Sequence, residues 1–154
     1  ASGQGHVLAQ YNLGTMFSRG QGVQLDSSRA AYWLRKAAER GFVKAQLSLG
    51  LMYAKGVGVA EDDHESLKWY LKAADQGDAD AQLILGVMHF KGEGVIKDDV
   101  KAYAWIHIAV TNGIGGGGPI KTIIAKKMTS NQVSKALELA KEMIALNPKL
   151  LKKE

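Results

Sequence analysis

Cysteine is absent from this 154-residue chain, which excludes a disulfide framework, a thiolate metal site and a cysteine nucleophile. That fits a reducing compartment and fits equally a periplasm where a larger core makes disulfides unnecessary. Proline occurs only twice, so little stands in the way of helices. No apolar run approaches the roughly 20 residues a helix needs to span a bilayer. The first residue is Ala and no charged-then-apolar leader opens the sequence. A trimmed start is therefore expected, cut by a signal peptidase or at a cloning boundary. Periplasmic or secreted location is the expectation, with the cytoplasm left open.

Apolar residues make up 46% of the chain and glycine occurs 18 times, a composition suited to one ordinary globular domain of helices punctuated by glycine stops. The net charge of +5 is uneven. Residues 1–118 carry twelve basic and twelve acidic side chains, whereas residues 119–154 carry eight lysines against Glu138, Glu142 and Glu154. A basic groove along the whole chain would suggest nucleic acid. An excess confined to the last segment argues against it.

What is present is a repeat. AQYNLGTMFSRGQGV begins at Ala9, AQLSLGLMYAKGVGV at Ala45 and AQLILGVMHFKGEGV at Ala81, a spacing of 36 residues both times. Twelve of the 36 columns are identical in all three copies, among them Asp26/Asp62/Asp98, Trp33/Trp69/Trp105 and Gly41/Gly77/Gly113. Self-similarity at such a period is the mark of a stacked repeat architecture. Each copy reads as two helices. In the second, Ala45, Leu49, Met52 and Tyr53 recur at i, i+4, i+7 and i+8, an amphipathic stripe. Gly56 is its stop, Asp62 the N-cap of the next helix, Trp69, Ala73 and Ala74 its buried side, and Gly77 its end. The methionine column, Met16, Met52 and Met88, reads as core.

Ala-x-x-x-Leu-Gly-x-x-Tyr-x-x-Gly-x-Gly-Val-x-x-Asp followed by Trp-x-x-Lys-Ala-Ala-x-x-Gly resembles the Sel-1-like repeat, a relative of the tetratricopeptide repeat. The resemblance covers about residues 1–113, with repeats at about 5–40, 41–76 and 77–113, and Ala1 to Gly5 matching the tail of a further copy upstream. The second copy matches best. The third departs at His89, Ile108 and Val110. The resemblance implies an all-α, right-handed superhelical solenoid that acts as an adaptor for other proteins, often bacterial and often exported. Residues 114–154 are then a Gly-rich linker, a short helix at 120–128 and a helix opened by a Thr129–Gln132 capping box and stopped at Asn147-Pro148. Such a segment suits the atypical terminal unit a solenoid needs.

The chemistry the sequence offers is slight. The Gly-x-Gly pairs at 20, 56 and 92 follow helices, occur three times and lack the lysine and strand of a phosphate loop. His6, His64, His89 and His107 show no metal-ligand spacing, and EDDHE at 61–65 reads as the acidic start of an exposed helix. No cofactor, metal or catalytic residue is expected. By analogy with the tetratricopeptide helix, the variable columns should face a concave groove: Tyr11, Leu47 and Leu83; Thr15, Leu51 and Val87; Ser18, Ala54 and Phe90; Arg19, Lys55 and Lys91. That is an apolar trough beside a ladder of cations, suited to a protein or peptide partner. A second expectation is a basic cap face of Lys121, Lys126, Lys127, Lys135 and Lys141, either solubilising or docking an acidic partner or an anionic lipid or glycan surface. Two rivals stand beside the adaptor. One is an exported, cell-wall-associated protein binding peptidoglycan fragments or β-lactams with weak hydrolase activity, as the resemblance allows. The other is a slice of a longer array, free to self-associate through exposed repeat ends.

Overall fold

In the computed structural model, which describes residues 2–152, the chain is all helical. Its α-helices are α1 (Ser2–Arg19), α2 (Ser27–Glu39), α3 (Val43–Lys55), α4 (Asp63–Asp75), α5 (Ala79–Lys91), α6 (Asp99–Thr111), α7 (Gly117–Ala125) and α8 (Ser130–Leu146). A 3-10 turn, Pro148–Leu150, follows. No strand occurs among the described residues. The chain divides into two compact units after Ala73.

The same local devices build all three helix pairs. Gly20, Gly56 and Gly92 take positive φ values of 64°, 61° and 75° and end the first helix of each pair; only glycine adopts that left-handed cap without a Cβ penalty. Asp26, Asp62 and Asp98 then open the second helix. Their carboxylates accept from the backbone N–H three residues on, at 3.0 Å in each case. The N–H of each aspartate donates back to the carbonyl of residue 17, 53 or 89, at 2.9, 3.0 and 2.9 Å. The turn is thus closed through the main chain, and the aromatic column can accept His89 in its third copy without losing it.

In the first unit, α1 packs on α2 and α2 on α3. The close approach is at glycine. A Cβ on Gly14 would stand 2.8 Å from Leu34 Cγ, and one on Gly50 would stand 2.9 Å from Tyr70 Cε1. The core gathers Ala30, Leu34, Ala38, Ala45, Leu49, Met52 and Trp69. Trp69 is 3% exposed, in line with its place on the buried side of the helix, whereas Trp33 is only half-buried and meets Tyr32 edge-on at 5.2 Å. Gly5 lies inside α1. The corresponding Gly41 follows α2, where the Phe42 N–H donates to the Ala37 carbonyl.

In the second unit, α5 packs on α6, and α7 and α8 pack on α6. Its core joins Ala102, Tyr103, Ile106, Ile124 and Ala136. The glycine run is shorter as a connection than the sequence suggested. Gly116, at φ 80°, is the N-cap, and Gly117 and Gly118 already form the first turn of α7. The capping box is present: the Gln132 N–H donates to Thr129 Oγ1 at 3.1 Å and the Thr129 N–H to Gln132 Oε1 at 2.8 Å.

Trp69→Ala removes the largest side chain of the first core and is expected to cost about 3–5 kcal/mol. A urea midpoint unchanged by that substitution would contradict the packing described.

Candidate interaction surface

Two of the four variable columns pair one helical turn apart within each helix: Thr15 and Arg19 on α1, Leu51 and Lys55 on α3, Val87 and Lys91 on α5. Residues i and i+4 share a helix face. Leu51 is 47% exposed in mid-helix, and Lys55 in the last turn is exposed, where a cation suits the helix dipole. Arg19 is likewise exposed. Lys91 lies 3.6 Å from Glu93, so the third cation is partly neutralised. Thr15 turns its hydroxyl onto the Asn12 carbonyl at 2.8 Å, and Ser18 does the same to Thr15 at 2.9 Å. Neither hydroxyl is held ready for a partner.

The column Tyr11, Leu47, Leu83 is engaged in packing. Tyr11 packs on Phe42, just ahead of α3, with ring centroids 4.9 Å apart. Leu83 packs on the second core, beside α7. Both are half-buried, as is Leu47. A large apolar side chain reaching a following helix contributes to packing and leaves little area for a partner. Phe90 is also engaged within the chain. It packs on the same core, and the Lys97 and Lys127 ammonium groups lie 4.6 and 5.1 Å from its ring centroid. Its π-face is engaged by the chain's own cations.

The five cap lysines are engaged in different ways. Lys121 is half-buried, 5.3 Å from the Tyr103 ring, and donates to His107 Nδ1 at 2.8 Å. Lys127 covers Phe90. Lys135 and Lys141 are exposed on α8 together with Glu138 and Glu142, and Lys141 lies 3.9 Å from Glu138. Lys126 is exposed. A field strong enough to dock an acidic surface needs like charges side by side, and α8 alternates them.

Burial, and then the Lys121 charge, hold the His107 ring below its ordinary titration range, and burial lowers Lys121. His89 is lowered first by burial and then by Lys101, against the opposing pull of Asp98 and of the Ile96 backbone. Among the described residues no three potential metal ligands cluster, and no helix is long and apolar enough to cross a membrane.

Sequence reasoning overlooked the glutamine column. Gln46 and Gln82 are buried, and their side-chain amides donate to the Ala38 and Ala74 carbonyls at 3.1 and 3.2 Å. The signal was available, since a polar residue invariant in three copies beside a core alanine asks for a buried partner.

The sequence pattern of the Sel1 repeat matches residues 7–42, 43–78 and 79–114. Among solved structures, a protective antigen present in uropathogenic Escherichia coli strains and displaying an SLR fold is 34% identical, with a TM-score of 0.83. That match takes in 99% of this chain and 34% of the other. A Sel1 repeat protein from Oxalobacter formigenes is 39% identical with a TM-score of 0.65, over 68% of this chain and 41% of the other. The chain thus spans between a third and two-fifths of the length of these relatives. None of the curated proteins matches it.

Because His89 and His107 titrate below 6.5 in the folded chain, the unfolded chain binds more protons as pH drops through that value. Stability is then complete above about pH 6.5 and falls on acidification. The urea midpoint should decrease between about pH 7.5 and 5.5, and His89→Gln with His107→Gln should flatten that slope. An equally steep slope in the double variant would refute the assignment.

Proposed function

Because the chain belongs to the Sel1 repeat family, we propose that it is a non-enzymatic adaptor that binds a segment of another protein along the Leu51–Lys55 face of α3. The observation that carries this reading is Leu51, a large aliphatic side chain left 47% exposed in mid-helix with an exposed cation one turn further on. Thr15 with Arg19, and Val87 with Lys91, stand at the same positions on α1 and α5, with Thr15 and Val87 half-buried. The partner suited to it presents apolar side chains and carboxylates along an extended or helical stretch.

The two kinds of contact differ in weight. Covering the exposed part of a leucine contributes on the order of 1 kcal/mol. An exposed lysine–carboxylate pair contributes about 0–1 kcal/mol and weakens with salt. Apolar area therefore sets affinity, and the cations set orientation and encounter rate.

A photo-crosslinking residue installed at position 51 should trap a defined protein in cells of the source organism, while the same residue at the exposed Ile96 does not. Leu51→Glu with Lys55→Glu should abolish capture of that protein by affinity-tagged chain and leave the helical circular dichroism unchanged. Capture undiminished by the double substitution would overturn the reading.

A further inference from the structure

The chain's last described residues are bound in the manner of a ligand. Gln82, fully buried at the start of α5, donates through Nε2 to the Leu150 carbonyl at 2.8 Å as well as to Ala74. Asn112, at the end of α6, donates through Nδ2 to the same Leu150 carbonyl at 2.7 Å and to Gln82 Oε1 at 2.8 Å. Its Oδ1 accepts from the Lys152 N–H at 2.9 Å. One asparagine side chain thus holds a carbonyl and an amide two residues apart, using both its donor and its acceptor. Leu150 is 2% exposed and is the segment's apolar anchor. Gly77 makes room for it, since a Cβ there would lie 2.5 Å from the Lys149 carbonyl. Asn147 shapes the segment, accepting from the Lys149 N–H at 3.2 Å and donating to the Asp75 carbonyl at 2.9 Å.

Main-chain hydrogen bonds combined with one side-chain pocket are how proteins read peptides. Asparagine stands in the Asn112 column only in the third copy. Stepping back by 36 and 72 residues from Asn112 gives Gln76 and Arg40, neither of which combines a short amide with this position. Among the described residues, Gly41 and Gly113 meet no neighbour of the kind that Gly77 meets.

We propose that Gln82, Asn112 and Gly77 form a peptide-binding site for Asn-Pro-x-Leu turn segments of another protein, and that residues 147–152 occupy it in cis. The proposal goes beyond the adaptor reading and is independent of it, since it uses no residue of the α1 or α3 faces. Every contact named goes to main chain, to one leucine or to the turn-forming asparagine. A foreign segment with the same turn and leucine therefore satisfies the site equally. The tethered segment competes at an effective concentration on the order of millimolar, so the site is closed to weak ligands and open to strong ones.

The test uses the full chain and a fluorescent synthetic peptide of residues 145–152. Leu150→Asp releases the tethered segment, and the variant should bind the peptide at least tenfold more tightly than the unaltered chain by fluorescence anisotropy. Asn112→Ala in that background should remove the gain, and a peptide with aspartate in place of its Leu150 equivalent should not bind. Should circular dichroism show Leu150→Asp unfolded, the unaltered chain answers the same question. Excess unlabelled peptide should accelerate hydrogen exchange at the Lys152 amide, which Asn112 otherwise protects. A folded Leu150→Asp chain that ignores the peptide, or a Lys152 exchange rate that the peptide leaves unchanged, overturns the proposal.

Discussion

The constraint on which the rest depends is the contact between a glycine in the first helix of each pair and a large side chain in the second. Gly14 faces Leu34, Gly50 faces Tyr70 and Gly86 faces Ile106, each closer than a methyl group would allow. With the crossing fixed there, helix periodicity decides the rest. Leu49 and Met52 turn inward, Leu51 and Lys55 turn outward, and the glycine stop and aspartate cap need only return the chain. The partner side chain differs in all three copies, so what recurs is the absence of a Cβ on one side. Size on the other side is free to vary within the space available.

This explains what was legible in the sequence. The period, the helix pairs, the caps and most of the core rest on columns where one residue type is physically required, and three copies expose such columns to view. Asp62 as N-cap, Gly56 as stop and the Thr129–Gln132 box all stand where local chemistry put them. The outward columns were harder. Tyr11 and Leu83 share a helical position with Leu47, and helical position alone cannot tell a face open to a partner from one that meets the next helix. Leu83 packs on a core that includes Ile124 of α7, which lies outside the repeat and so outside the reach of column analysis. Trp33 shows the same limit, identical in type to Trp69 yet half-buried, because burial depends on neighbours the column does not contain.

The basic end of the chain is a case where composition misleads. Eight lysines against three glutamates suggested a face, but a side chain with a long aliphatic stem is drawn wherever a ring or carbonyl will receive its ammonium. Lys127 goes to Phe90 and Lys121 to Tyr103 and His107. Lys97, from the third repeat, also goes to Phe90. Two of the five cap lysines thus lie against the aromatic edge of the second unit's core. The cation–π geometry and the lowered Lys121 agree on this, since both require that the ammonium be drawn partly out of water.

The buried glutamines join the architectural and functional arguments. A buried amide has two donors and an acceptor to satisfy, and the carbonyl at the end of the preceding helix takes only one donor. At Gln46 and Gln82 that first bond is the same, to Ala38 and Ala74. At Gln82 the remaining capacity is met by Asn112 and the Leu150 carbonyl. An unsatisfied buried donor costs about 1–3 kcal/mol, so the fold itself demands a chain segment at that place. A residue kept to satisfy the repeat thereby becomes a reader of peptide backbone wherever a second amide stands beside it. In this chain Asn112 is that amide.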